Sequence, residues 1–250
     1  MFPIAHAVLI RTLTGTPSTA HYLGSIWPDM LFASPLSHTQ SHRSGTALRE
    51  RVTAPGELRD FVAGVVSHGS EPHGFDWYSD EEWGSLPGEA RGFAFQHART
   101  LAEGAAKVCD VAPADGWWKA HNLVEMAAEH ILYGNDPAPG RRLAEACGDT
   151  ALHARIATDL CAQFGFPADA LAEPMRRFPE VVTFAPASFQ ILAERYALQV
   201  RIKHPGAIPD SGAIARLIEQ AEGLILPDFE AFMRECQSRV GTLLSSLALI

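Results

Sequence analysis

Apolar residues recur along most of this chain at the spacing of an α-helix. In residues 56–67, Leu58, Phe61, Val62 and Val65 occupy positions i, i+3, i+4 and i+7, which places them on one helix face. Segments that alternate apolar and polar residues, as β-strands do, are not found in the sequence. The pattern therefore predicts an all-α fold, which we assign to a single domain over residues 1–250.

Further helices are predicted where the same period runs between Pro and Gly residues. They cover residues 3–14, 17–25, 88–108, 113–132, 139–147, 149–163, 167–177, 187–203, 210–224 and 227–248. Two intervening segments, 27–44 and 69–86, are predicted to be loops. Candidate chemistry is confined to residues 1–135, and residues 136–250 form a helical C-terminal half without an assignable motif.

Composition narrows the class of protein. With 47% hydrophobic and 20% charged residues, the chain has the balance of a folded globular protein. Its formal net charge of -9 argues against a broad nucleic-acid surface, which would need a basic patch. No run reaches the roughly 18 apolar residues of a membrane span. The sequence indicates no particular oligomeric state.

The start of the chain and its cysteines favour a cytoplasmic location. The segment MFPIAHAVLIRTL is apolar but lacks a basic leader and a small-residue cleavage site, so we interpret it as a first helix. The four cysteines, Cys109, Cys147, Cys161 and Cys236, form no CxxC pair, and a chain of this size does not need disulfides. Reduced thiols are therefore expected.

Histidines are concentrated in the N-terminal half, where His121 and Glu125 form the most informative pair. They are four residues apart, so they share one face of a predicted helix, and that face is apolar. Burial costs about 2–7 kcal/mol even for a neutral polar group left unpaired. A divalent cation bound by both side chains would compensate the carboxylate. Alternatively, Glu125 pairs with an arginine and His121 is an ordinary core residue.

His68 also lies on an apolar helix face. It continues the stripe of the 56–67 helix and precedes three further potential ligands, Glu71, His73 and Asp76. A lone histidine in such a place is more often a core residue, but the ligands that follow it favour a metal site.

Two residues near the start of the chain extend this pattern. His6 shares a stripe with Leu9 and Leu13, and Asp29 follows Pro28 where a predicted helix ends. An aspartate after proline is often only a turn former. Several polar ligands brought to apolar faces are explained more simply by one shared metal centre.

The order and context of these residues resemble a known family. His6, the segment LGSIWPD at 23–29, His42, the segment GVVSH at 64–68 and the segment HNLVE at 121–125 occur in this order. This order resembles the bacterial zinc-dependent phospholipase C family, which is related to the P1/S1 nucleases, and in particular a cytoplasmic branch without signal peptides. The resemblance covers about residues 1–135.

The resemblance implies an all-α fold with up to three zinc ions between helices, although other divalent metals are possible. It implies hydrolysis of a small-molecule or lipid phosphoester by a zinc-bound hydroxide. The metal ligands that it implies match this chain at His6, Asp29, His42, His68, His121 and Glu125. His42 fits the spacing after Asp29 better than His38 does.

The chain departs from the family pattern next to His68. The family has an aspartate four residues after this histidine, where Pro72 stands here. Asp76 is therefore expected to be the bridging carboxylate and the candidate catalytic residue, ahead of Glu71, and His73 is expected to supply the remaining imidazole. Either Glu71 or Asp80 could serve as a base.

A second departure concerns the number of ions. The secreted enzymes use the amino group of an N-terminal tryptophan, whereas this chain begins Met1-Phe2. One or two ions are therefore favoured over three. Two alternatives stay open: a metal-binding or structural helical protein without catalysis, and a helical binding module without metal.

Overall fold

A computed structural model describes residues 3–82 and 92–250, with Glu81 and Glu82 described by their backbone alone. Within these residues the chain forms fourteen α-helices and no β-strand. The prediction of an all-α chain is therefore confirmed at the level of secondary structure. Parts of two predicted segments, residues 83–86 and 88–91, lie outside the described residues.

Eight α-helices belong to the half of the chain that carries the candidate ligands. They are α1 (Pro3–Thr14), α2 (Thr19–Ile26), α3 (His38–His42), α4 (Gly45–Arg49), α5 (Glu57–His68), α6 (Phe93–Ala98), α7 (Ala102–Cys109) and α8 (Gly116–Asn135). Short 3-10 turns lie at Trp27–Asp29 and Pro113–Asp115, and a π-helical segment lies at Trp77–Glu82.

The C-terminal half contributes six more helices. They are α9 (Ala138–Gly148), α10 (Thr150–Phe164), α11 (Ala168–Arg177), α12 (Phe189–Lys203), α13 (Ser211–Ile225) and α14 (Phe229–Ser246). Each begins and ends within two residues of its predicted bounds, because Pro, Gly, Asp and Ser mark the ends of these helices in the sequence.

Three predicted segments need correction. The predicted loop 69–86 contains the helical segment Trp77–Glu82, and the predicted loop 27–44 contains α3. A capping box begins α3, in which Ser37 accepts from the backbone N–H of Gln40 and the Gln40 side chain accepts from that of Ser37. The predicted helix 88–108 is divided, in its described part, into α6 and α7.

Tertiary packing explains that division. Phe93 of α6 stacks on Phe232 of α14 with ring centroids 4.3 Å apart. Phe95 stacks on His121 of α8 with centroids 4.2 Å apart. These contacts orient α6 separately from α7, and a regular pattern of apolar residues does not show such a change of direction.

Helices α2 and α5 approach each other closely through two glycines. A Cβ atom on Gly24 would lie 2.0 Å from the carbonyl oxygen of Phe61, and one on Gly64 would lie 2.4 Å from that of His21. Any larger residue would push the two helices apart. The C-terminal end of α5 also meets the end of α2, since His68 Nδ1 lies 2.7 Å from the carbonyl oxygen of Ser25, and this places His68 Nε2 4.0 Å from Asp29 after α2.

Helix α8 lies centrally and is contacted by α1, α6, α7, α12 and α13. Buried residues from both halves, from Ile4 to Leu249, join one hydrophobic core. The four cysteines are unpaired. Every helix in the described part of the chain is too short or too polar to span a membrane.

Candidate metal centre

Five of the predicted ligands meet in one cluster, which we call the inner cluster: His6, Asp29, His42, His68 and Asp76. The histidines belong to helices α1, α3 and α5, and Asp29 belongs to the 3-10 turn after α2. Asp76 directly precedes the π-helical segment Trp77–Glu82. The three histidines are at most 3% exposed and Asp76 is 8% exposed. The cluster is therefore assembled from five separate parts of the chain.

Asp76 lies among the three histidines. Its Oδ2 atom is 3.0 Å from His68 Nε2 and 3.3 Å from His42 Nε2. Its Oδ1 atom is 3.4 Å from His6 Nε2. The two oxygens of one carboxylate thus face different histidines, which is the arrangement that a bridging carboxylate requires.

Asp29 lies close to two of these histidines. Its Oδ1 is 3.5 Å from His42 Nε2, and its Oδ2 is 4.0 Å from His68 Nε2. Two overlapping groups of potential ligands result, one of His6, His68 and Asp76 and one of Asp29, His42 and His68. Because both groups use the single Nε2 of His68, they are not two independent sites.

A third group of potential ligands, which we call the α8 group, consists of Asp80, His121 and Glu125. The Nε2 atom of His121 lies 2.9 Å from Asp80 Oδ1 and 3.2 Å from Glu125 Oε1. Glu125 is 2% exposed. His121 and Glu125 share one helix face, as predicted, and Asp80 of the π-helical segment completes the group.

Hydrogen bonds fix the orientation of the inner imidazoles. His68 donates its Nδ1–H to the carbonyl oxygen of Ser25 at 2.7 Å, and His42 donates its Nδ1–H to that of His38 at 3.1 Å. Each Nε2 atom is then directed at the carboxylates. The buried Nε2 of His68 lies 3.0 Å from an Asp76 oxygen. Metal-binding histidines typically have a partner of this kind at the other ring nitrogen.

His121 is oriented in the same way by a partner that the sequence analysis did not identify. Its Nδ1–H donates to Asn122 Oδ1 at 3.0 Å, and Asn122 Nδ2 donates to the hydroxyl oxygen of Tyr196 at 2.9 Å. Tyr196 belongs to α12, so the C-terminal half supports a candidate ligand in the N-terminal half.

Nearby carboxylates shift the pKa of one histidine in each group. Burial opposes charge on His68 and His121, but neighbouring carboxylates outweigh it and raise the pKa of each to about 9. Burial also raises the pKa of Glu125. When no other cation is bound, the second protons on His68 and His121 balance the nearby carboxylates.

The residues present fit a divalent cation in place of those protons. Ligands 2.0–2.1 Å from a tetrahedral ion lie about 3.3 Å from one another. The close nitrogen–oxygen distances in the clusters, such as 3.0 Å for His68 and Asp76 and 3.2 Å for His121 and Glu125, are near this value. Imidazole and carboxylate ligands suit zinc and also other first-row divalent metals.

The clusters face a cavity of about 580 Å³. Asp29, His42, Asp76, Asp80 and Glu125 are among its lining residues. Phe178, residues 181–183 and one face of α12 also line this cavity. A cavity of this size accommodates a small molecule next to the candidate ligands.

His73 and Glu71 lie apart from these groups. His73 is exposed and stacks on Trp77 with ring centroids 3.8 Å apart. Glu71 is exposed as well. Neither residue belongs to a ligand group within the described part of the chain. The imidazole role that the sequence predicted for His73 therefore has no counterpart in this geometry.

Asp80 lies inside the α8 group, whereas the sequence analysis considered it only as a base. The sequence did contain an indication that Asp80 is a ligand. It follows Asp76 by four residues, the same spacing as between His121 and Glu125. Asn122 and the cavity residues of α12 carried no such signal, since their proximity to the clusters depends on how α12 packs.

No protein-family model matches the chain, and no curated protein and no solved structure matches it either. The resemblance to the zinc-dependent phospholipase C family stays a prediction, and a function for this chain has to be inferred from the geometry of the clusters.

Proposed function

We propose that this protein is a metal-dependent hydrolase of phosphoesters, similar in chemistry to the zinc-dependent phospholipase C family, with zinc as the expected ion. The observation that carries the proposal is the convergence of buried Nε2 and carboxylate oxygen atoms from both clusters on one cavity. Polar groups this deeply buried are costly unless they bind a charge. Their position beside a cavity favours binding that serves a substrate.

Each cluster has a distinct task in this proposal. The inner cluster would hold one ion, with Asp76 among its ligands, and the α8 group would hold another. Bound divalent cations supply Lewis-acid stabilisation of charge on phosphoryl oxygens and lower the pKa of water. In the reaction an oxygen of water forms a bond to phosphorus, and the bond from phosphorus to the leaving oxygen breaks.

His38 is the candidate for proton transfer. It lines the cavity, belongs to none of the three ligand groups, and stacks on His42 with ring centroids 3.7 Å apart. Burial and the neighbouring His42 lower its pKa from 6.5, so its imidazole is neutral at pH 7. A ring nitrogen of His38 can therefore accept a proton from water and later return it to the leaving oxygen.

A protein that binds metal without catalysis is the second candidate. Pro72 favours it, because this residue occupies the position where the family has its bridging aspartate. The position of Asp76 among three histidines favours the hydrolase, because Asp76 can provide that carboxylate from outside α5.

Metal analysis combined with a turnover assay tests the proposal. After zinc reconstitution and dialysis, the full chain is expected to retain one to two ions and to hydrolyse bis-p-nitrophenyl phosphate. His42→Ala should lower both quantities, and His204→Ala, a histidine outside the cavity, should change neither.

The outcomes separate the candidates. Zinc retained without turnover of this ester or of a phosphatidylcholine analogue would support the non-catalytic alternative. Retention below about 0.2 ion per chain would reject both, since a preorganised site should bind zinc tightly.

A further inference from the structure

Three cationic side chains line the cavity beside the metal clusters: Lys119 of α8 and Arg195 and Lys203 of α12. We call the part of the lining that they form the charged wall. The whole chain has three lysines, of which Lys107 is the third, and a formal net charge of -9. Two of the three lysines of an acidic protein therefore line this one cavity.

Lys119 is the least exposed of these cations. Its exposed fraction is 6%, and it forms no salt bridge or hydrogen bond within the part of the chain that the structure describes. Burial lowers its pKa, and the nearby Asp115 carboxylate opposes that shift without being close enough to form a salt bridge. Removing an unpaired ammonium group from water is unfavourable, so buried lysines are normally paired. A bound anion would provide the missing partner.

Arg195 and Lys203 of α12 add two further positive charges to the cavity lining. Arg195 donates from Nη1 to the carbonyl oxygen of Glu180, and within the described residues it forms no salt bridge with a carboxylate. Lys203 is exposed and has no salt bridge within the described residues. Both side chains are free to contact an anionic ligand.

The charged wall is too long to serve only the reacting group. Arg195 and Lys203 are eight residues apart, or about 12 Å along a helix that rises 1.5 Å per residue. Lys119 and Glu125 are six residues apart, or about 9 Å along α8. A single phosphoryl group at the metal clusters cannot contact the whole of this wall.

We propose that Lys119, Arg195 and Lys203 form a subsite for a second anionic group of the substrate. The substrate is then a small phosphoester that also carries a carboxylate or a phosphate. The identity of the reacting group rests on the proposed hydrolase function. The volume of about 580 Å³ favours a small molecule over a polymer, and Leu192 and Val182 on the same wall suit a short hydrocarbon spacer.

Two synthetic esters of equal length test the subsite. Butyl p-nitrophenyl phosphate and 3-carboxypropyl p-nitrophenyl phosphate have the same leaving group and differ in their terminal methyl or carboxylate group. A charge-assisted contact should give the carboxylate ester an advantage of at least about 10-fold in kcat/KM. A third ester with a terminal phosphonate distinguishes a phosphate from a carboxylate as the preferred group.

Binding provides a readout that does not need catalysis. Titration calorimetry of the zinc-loaded chain compares butylphosphonate with 4-phosphonobutyrate, which are matched in the same way. The second ligand should bind at least about 10-fold more tightly. If no ester is hydrolysed, the hydrolase proposal fails while this measurement still decides the subsite.

Variants test whether the charged wall causes the preference for the carboxylate-bearing probe. Lys119→Gln and the exposed Lys203→Gln should each reduce the preference for the charged probe, and Lys107→Gln, which removes the same charge outside the cavity, should not. Lys203→Gln is informative even if Lys119→Gln fails to fold. The absence of a preference in the unmodified protein, or a preference that both cavity variants retain, would overturn the proposal.

Discussion

The inner cluster and the α8 group contain the same kinds of side chain but are built differently. His121 and Glu125 are neighbours on one helix face, so most of the α8 group is local, and only Asp80 comes from elsewhere. The inner cluster draws five side chains from five parts of the chain. Its geometry therefore depends on the packing of α1, α3 and α5.

The two sites also differ in how their ligands are shared. In the inner cluster His68 belongs to both groups, and Asp76 contacts three histidines. In the α8 group each residue belongs to one group only. A change in the inner cluster should therefore affect several ligands at once, whereas a change in the α8 group should stay confined.

The largest expected effect comes from removing the shared histidine. His68→Ala should abolish zinc binding to the inner cluster and leave at most the ion of the α8 group. His121→Ala should affect only the α8 group. At about 1,000 times its dissociation constant, a ligand stabilises a protein by about 4 kcal/mol, so the stability that zinc adds should fall most in His68→Ala.

Elemental analysis and thermal unfolding with and without zinc measure this difference. His73→Ala is the matched control, because His73 is exposed and outside both clusters, and it should keep its zinc. Equal zinc losses in His68→Ala and His121→Ala would show that the two clusters do not act as separate sites.

The next largest effect concerns the bridging carboxylate. Asp76→Asn keeps the shape of the side chain but removes its charge, and it should cost at least one ion and most phosphoesterase activity. Partners that only support metal ligands change affinity by about 10–100-fold, so the loss of a direct ligand should exceed about 100-fold. Zinc titration and kcat for bis-p-nitrophenyl phosphate are the measurements.

Glu71→Gln is the control for that substitution. Glu71 is exposed, so its replacement should change zinc affinity and kcat little. If Glu71→Gln had the larger effect, the assignment of Asp76 as the bridging residue would be wrong.

The smallest expected effect is a pH dependence of stability, which should have opposite signs for the metal-free protein and for the stabilisation that zinc adds. In the metal-free protein, His68 and His121 have pKa values of about 9, above the usual 6.5. The interaction of their protonated rings with the neighbouring carboxylates contributes fully to folding stability below pH 6.5, and this contribution is lost as the pH rises to about 9. Zinc binds the deprotonated rings, so the stabilisation that it adds should grow over the same range.

Thermal unfolding at pH 6 and pH 9, with chelator and with zinc, tests this expectation. The melting temperature of the metal-free protein should fall between these pH values, and the increase produced by zinc should become larger. A metal-free protein that is more stable at pH 9 than at pH 6 would contradict it.

Most of the helices and several ligands could be predicted because their signals are local. The bounds of α1 and α5 follow from apolar periodicity, and His121 with Glu125 follows from a spacing of four on one helix face. The division between α6 and α7 and the helical turn after Asp76 could not be predicted. They depend on contacts such as that of Phe93 with Phe232, which are distant in sequence.

The choice among nearby ligands depended on tertiary structure in the same way. His73 and Asp76 are three residues apart and equally plausible as ligands in the sequence. In the fold, Asp76 faces the inner histidines and His73 stacks on Trp77 at the surface. The order of residues cannot show which side of an irregular segment will face the interior.

The sequence by itself determined the helical class, the bounds of the long helices and the buried polar side chains that need a charged partner, because each follows from periodicity and the cost of burial. Tertiary structure alone decided which of them meet. The contact of Gly24 and Gly64 brings Asp29 to His68, and the packing of α12 brings Arg195 and Lys203 into the lining of the cavity that the clusters face. The reason is that both arrangements depend on helix-to-helix distances, which are set by packing between segments far apart in the chain.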